Sequence, residues 1–60
     1  MITARTLPHN GAIEVTAMVR DTTGWGVWLE WNVYYGYNKT QAKRMFREYM
    51  IEKGYVLVND

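Results

Sequence analysis

Few side chains in this sequence are of a type that performs catalysis. The chain has no cysteine and no serine, and His9 is its one histidine. These absences exclude a serine or cysteine nucleophile and a histidine metal cluster. Glu14 and Glu30 are the one carboxylate pair on neighbouring predicted strands, and we interpret them as acids that keep a sheet soluble. The sequence therefore predicts no enzyme, no catalytic residue, no metal, no cofactor and no small-molecule substrate.

A set of basic side chains could instead bind anions. It consists of Lys39, Lys43, Arg44 and Arg47. A spacing of i, i+4, i+5 and i+8 keeps such residues on the solvent side of a helix, over about two turns. We predict that they contact a nucleic-acid backbone, the alternatives being an acidic protein or the solvated face of an ordinary amphipathic helix.

Aromatic residues are concentrated between positions 25 and 37. They are Trp25, Trp28, Trp31, Tyr34, Tyr35 and Tyr37. One sheet face cannot hold them all, and strand alternation predicts that Trp31 and Tyr35 lie beneath the helix while Trp28 and Tyr34 lie on the opposite face. Such a second face would be more apolar than solvent exposure requires. The predicted protein-binding residues are Trp28, Tyr34, Met18 and Arg20.

Three kinds of occupant fit that aromatic face: single-stranded nucleic acid, a target protein, or a second copy of the chain. The alternative is that one end of the chain folds across the face and completes the core.

Strands and one helix must position these residues. Period-two alternation predicts strands over 12–20 and 27–35, with an edge strand over 2–7. Asn38 and Gln41 form a capping-box pattern, and Gly54 is a helix stop, so we predict a helix over 39–53. Residues 55–58 could form a last strand or a closing tail.

The resulting prediction is one α+β domain over residues 1–60, in which a three-stranded antiparallel meander packs on one C-terminal helix. Its predicted core is Ile13, Val15, Val19, Val27, Leu29, Trp31, Val33, Ala42, Phe46, Tyr49 and Met50.

Length and composition indicate how the protein could assemble and in which compartment we expect it. A chain of 60 residues and 7.1 kDa buries a thin core, which leaves both a monomer and an oligomer open. The absence of cysteine favours a reducing compartment, and no apolar run has the length of a membrane span or a signal peptide. We therefore expect a cytoplasmic protein with no membrane partner, located in the host cytoplasm if it is viral.

The segment Gly36-Tyr37-Asn38-Lys39-Thr40-Gln41-Ala42-Lys43 resembles the strand-to-helix junction of double-stranded-RNA-binding domains. The resemblance implies that Lys39 and Lys43 contact phosphates, with Thr40 where that family usually has another lysine. The element order is also similar to the three-stranded DNA-binding domains of the plant ethylene-response and phage-integrase arm types. Their sheets enter a groove with arginines, for which this chain offers mainly Arg20. We assign no family on these similarities.

The function predicted from the sequence is a small non-catalytic binding or regulatory module, of the kind that phages and mobile elements encode. It engages nucleic acid through the basic helix face. The alternative is a protein-interaction module, acting as a homodimer or as an inhibitor of a host protein, that uses the aromatic sheet face.

Overall fold

The computed structural model describes residues 1–23 and 26–58, so Trp25 of the aromatic segment lies outside the described residues. The elements follow the order β1 (Thr3–Thr6), β2 (Ile13–Asp21), β3 (Val27–Tyr34), α1 (Lys39–Lys53) and β4 (Tyr55–Leu57). The predicted α+β fold is confirmed, and the segment after the helix forms a short strand.

The sheet is antiparallel, and its centre is β2. β3 pairs with nearly the whole length of β2, from Ile13 opposite Tyr34 to Arg20 opposite Val27. β1 pairs with the first half of β2, and β4 pairs with its end. Since β3 occupies one side of β2, β1 and β4 share the other side.

The helix begins and ends as the sequence predicts. Asn38 and Gln41 form a reciprocal capping box, in which the Gln41 backbone N–H donates to Asn38 Oδ1 at 2.8 Å and the Asn38 N–H donates to Gln41 Oε1 at 3.1 Å. Gly54 ends the helix with a φ of 79°, a left-handed conformation that glycine adopts without steric cost.

The core lies between α1 and the sheet face that β2 presents to it. Val15, Val19 and Phe46 are fully buried there. The remaining buried apolar residues are Ile2, Ala12, Ile13, Ala17, Ala42 and Met50. The helix packs over β1, β2 and β4, so β3 extends beyond the helix toward the free side of the sheet.

The predicted orientation of β3 is wrong. Because Val19 lies opposite Trp28 and Ile13 opposite Tyr34, the even-numbered residues of β3 share the helix-covered face with the buried side chains of β2. The odd-numbered residues, predicted to be core, lie on the other face, where Leu29 is 56% exposed and Trp31 is 58% exposed. Val27 is also exposed, and Val33 is half-buried.

The physical reason for this error is the register of the β2–β3 hairpin. A shift of one residue transfers every side chain of a strand to the opposite face. The odd-numbered row of β3 is the more apolar one, because the even-numbered row includes Glu30 and Asn32, and the hairpin register nevertheless turns the even-numbered row toward the helix.

Candidate interaction surfaces

The helix-covered face of β3 joins an aromatic cluster rather than a free surface. The Trp28 ring meets the Tyr55 ring edge-on at a centroid distance of 5.0 Å, and Tyr55 in turn meets Tyr49 at 6.3 Å. Phe46 lies 6.0 Å from Tyr49. Trp28 and Tyr34 both pack against the core as half-buried residues. Their predicted placement beside Met18 and Arg20 on an open face is therefore wrong.

Two hydrogen bonds fix the polar groups of this cluster. The Tyr49 hydroxyl donates to Glu30 Oε2 at 2.7 Å, and Asn32 Nδ2 donates to the Tyr34 hydroxyl at 3.3 Å. The bond to the Glu30 carboxylate stabilises the neutral phenol and, together with burial, raises the pKa of Tyr49 to about 12. Burial also raises the pKa of Tyr34, against the smaller effect of its bond with Asn32. The bond between Tyr49 and Glu30 connects α1 to β3, whereas the bond between Asn32 and Tyr34 lies within β3.

Glu14 and Glu30, which the sequence predicts as acids that keep a sheet soluble, lie on opposite faces of the sheet. Glu30 lies opposite Ala17 on the helix-covered face, whereas Glu14 lies opposite Val33 on the other face. Glu14 Oε1 instead accepts a hydrogen bond from Arg5 Nε at 2.8 Å across β1 and β2, and the Arg5 side chain is largely exposed. An ion pair at such a surface contributes at most about 1 kcal/mol. Two acids separated by the sheet cannot share one substrate.

The uncovered face of the sheet, here called the open sheet face, is apolar along β3. Met18 and Arg20 of the predicted protein-binding set do lie on it, and both are exposed. Val56 of β4 lies beside Arg20 on the same face. The large apolar side chains of this face are Met18, Val27, Leu29, Trp31, Val33 and Val56. The signal for this surface was present in the sequence, because the odd-numbered row of β3 is wholly apolar.

The basic residues predicted on the helix all lie on α1, and we call this set the basic flank: Lys39, Lys43, Arg44 and Arg47. Lys43 is half-buried and the other three are exposed. Within the described part of the chain, none of the four forms an ion pair or a side-chain hydrogen bond. The first turn of the helix also carries no acid.

The basic flank lies on the side of the helix away from β3. Arg47 borders a surface pocket against β4, whereas Tyr49 reaches β3 on the other side of the helix. Lys39 and Lys43 precede Arg47 by eight and four residues, which places them along the same side. Glu48 follows Arg44 by four residues and so lies beside it, but the two form no ion pair among the described residues.

The pocket between α1 and β4 is lined by Arg47, Met50, Ile51, Tyr55, Val56 and Leu57. It has a volume of about 290 Å³, at the lower end of the range for small-molecule sites. Arg47 supplies its one charged side chain, so the pocket lacks the convergent polar groups that orient a substrate.

Metal-ligating residues do not cluster among residues 1–23 and 26–58, where no three acids or histidines are placed to share an ion. His9 lies exposed in the turn between β1 and β2. Over those same residues, the helix is neither long nor apolar enough to cross a membrane.

No family model, curated protein or solved structure matches the chain.

Proposed function

We propose that this protein is a small non-catalytic module that binds nucleic acid through the basic flank of α1. The observation that carries the proposal is the set of four cations on one side of the helix, without an acidic partner among the described residues. A cation that already pairs with a carboxylate must exchange that partner for a phosphate. The cations of the basic flank do not bear this cost.

The chemistry of the basic flank favours contact with the phosphate backbone. Lysine and arginine neutralise phosphates and release condensed counterions, which supplies affinity without reading sequence. The flank carries no asparagine or glutamine that would pair with an adenine edge. We therefore expect weak sequence preference and a strong dependence of affinity on salt.

The experiment measures fluorescence anisotropy of labelled duplex DNA, duplex RNA and single-stranded oligonucleotides as protein is added, over a series of salt concentrations. If the four cations each contact a phosphate of duplex DNA, the slope of log K against log salt is about −3 to −4. The double variant Lys43→Gln, Arg47→Gln should reduce the magnitude of that slope by about 2 and weaken binding.

A matched control removes the same charge elsewhere. The double variant Arg20→Gln, Lys53→Gln also loses two positive charges, but both lie outside the basic flank. It should keep the slope of the parent. Equal losses in the two double variants would mean that net charge, and not the basic flank, governs binding. Binding that does not respond to salt would contradict the proposal.

A second candidate function is protein interaction, and the exposure of Leu29, Trp31 and Met18 on the open sheet face favours it. Contiguous exposed apolar side chains of this size are typical of a surface that a protein partner covers. The residues that support this candidate are those of the open sheet face and not Trp28 and Tyr34, which pack on the core. A cytoplasmic location remains a prediction from the absence of cysteine.

A further inference from the structure

The two edges of the sheet differ in the length and the charge of the strands that form them. On one side, β1 is four residues long and β4 is three, and β1 contains Arg5. Short strands with charged side chains are a common protection against pairing with another chain. On the other side lies β3, eight residues long, which within the described residues pairs with β2 alone.

β3 is long, and it lacks two residue types that commonly protect an edge strand. It contains no proline and no lysine, and its one charged residue, Glu30, is held over the helix-covered face by the Tyr49 hydroxyl. Its row on the open sheet face is wholly apolar, and a long edge strand with such a row is exposed to pairing with another chain. The helix packs over β1, β2 and β4, so it leaves room beside β3 on that face as well.

We propose that the neighbour of β3 is the β3 strand of a second copy of this chain, paired antiparallel about a two-fold axis that passes beside Trp31. This inference deepens the protein-interaction candidate and is independent of nucleic-acid binding. A two-fold dimer of this kind joins the two sheets into one, with both helices on the same face.

The register follows from the residues of β3. Only two symmetric registers pair most of the strand, one centred on Glu30 and one centred on Trp31. The first places the Glu30 carboxylate directly opposite its own copy, and like charges in that position are destabilising. The second places Trp31 opposite Trp31 of the second copy and so avoids this repulsion.

The Trp31-centred register is also complementary at its other positions. Glu30 lies opposite Asn32 of the second copy, so the carboxylate oxygen that does not bond Tyr49 can accept from the Asn32 amide. Leu29 lies opposite Val33 on the open sheet face, and Trp28 lies opposite Tyr34 on the helix-covered face. Aromatic and aliphatic pairs of these types stabilise neighbouring strands. A second copy therefore supplies a complementary cross-strand partner for these residues of β3.

The pairing of the two β3 strands, here called the seam, does not cover the basic flank. That flank lies on the β4 side of the helix, away from β3. The dimer would thus present two basic flanks on one face of a continuous sheet, and loss of dimerisation need not abolish contact of one flank with phosphate.

The first test measures solution mass by light scattering over a concentration series up to the solubility limit. The parent should be dimeric at high concentration. Trp31→Lys places two ammonium groups at the axis and removes the aromatic pair. The dissociation constant of its dimer should therefore be roughly thirtyfold higher than that of the parent, or more. Trp31 is 58% exposed, so the substitution should leave the monomer folded, which far-ultraviolet circular dichroism checks.

Val56→Lys is the matched control, since Val56 is exposed on the same face but lies on β4, at the opposite edge of the sheet from β3. It should keep the dimer. Dissociation of both variants would mean that two open sheet faces stack on each other, and this would overturn the edge seam. A parent that stays monomeric at every concentration would also overturn it and would favour a different protein as the occupant.

The second test fixes the register by disulfide formation, in a chain that has no cysteine of its own. Opposed Cα atoms in an antiparallel pair lie about 4.5 to 5.5 Å apart, within the range that a disulfide spans. Trp31→Cys should therefore oxidise to a covalent dimer on a non-reducing gel. Leu29→Cys places its two sulfurs about 13 Å apart along the seam and should stay uncrosslinked. Equal crosslinking of the two variants would overturn the proposed register.

Discussion

The two faces of one strand, β3, have opposite roles in this molecule. On the helix-covered face, Trp28 packs edge-on against Tyr55, and Glu30 accepts a hydrogen bond from Tyr49. On the open sheet face, Leu29 and Trp31 are more than half exposed. The difference shows that apolar character alone does not place a residue in a core. The helix lies where β2 presents its small and branched side chains, and it leaves the most apolar row of β3 uncovered.

The largest effect on stability should come from the covered face. Phe46 is fully buried between α1 and the sheet, so Phe46→Ala removes its contacts and leaves a cavity. We expect a loss of about 3 to 5 kcal/mol in the free energy of unfolding. Such a loss approaches the whole stability of a domain of this size. Urea denaturation followed by tryptophan fluorescence measures it, and a loss below about 1 kcal/mol would mean that the core lies elsewhere.

A smaller effect should come from the bond that ties β3 to the helix. Tyr49→Phe removes the hydroxyl that donates to Glu30 and keeps the ring beside Phe46 and Tyr55. We expect a loss of about 0.5 to 1 kcal/mol in the free energy of unfolding, as for a partly solvated hydrogen bond to a charged group. Glu30→Gln is the paired control, because it keeps an acceptor for Tyr49 and removes the charge. If neither substitution lowers stability, the bond does not hold β3.

The same bond predicts a dependence of stability on alkaline pH. The pKa of Tyr49 is raised from 10.0 to about 12, so the folded state favours the neutral phenol. This contribution is complete below pH 10 and is lost as the pH rises through about 12. Ultraviolet difference titration should show a tyrosine that ionises at about pH 12, and Tyr49→Phe should remove this step. Its persistence in that variant would assign the late titration to another residue.

The smallest effect on the fold should come from the open sheet face. Leu29 is 56% exposed, so Leu29→Ser should change the stability of the monomer by at most about 0.5 kcal/mol, measured at low protein concentration. Phe46→Ala provides the contrast within the same assay. A large loss in Leu29→Ser would show that Leu29 belongs to the core, as alternation first predicted.

The sequence determined most of the fold because its local signals agree with one another. Asn38, Gln41 and Gly54 define the helix ends, and the strict alternation of β2 predicts its buried row correctly. The orientation of β3 could not be obtained in the same way, because the hairpin register turns the row that includes Glu30 and Asn32 toward the helix and leaves the wholly apolar row uncovered. That choice also moved the candidate protein surface from Trp28 and Tyr34 to Leu29 and Trp31.

The basic flank shows what sequence spacing does and does not supply. Helical periodicity was enough to place Lys39, Lys43 and Arg47 along one side of α1. The interval of four between Arg44 and Glu48 would also permit an ion pair, and the structure does not form it among the described residues. Side-chain pairing at an exposed helix surface is worth only tenths of a kcal/mol, so the pattern could not determine it.

The central claim is that β3 is an edge strand that a second copy covers, and amide hydrogen exchange tests it most directly. Hydrogen exchange of the parent protein is measured at a low and at a high protein concentration, and the protection of the amides is compared strand by strand. We predict that β3 amides gain protection as concentration rises while amides of β1 and β4 do not. Protection in β3 that is independent of concentration, or that rises equally in all strands, would contradict the claim.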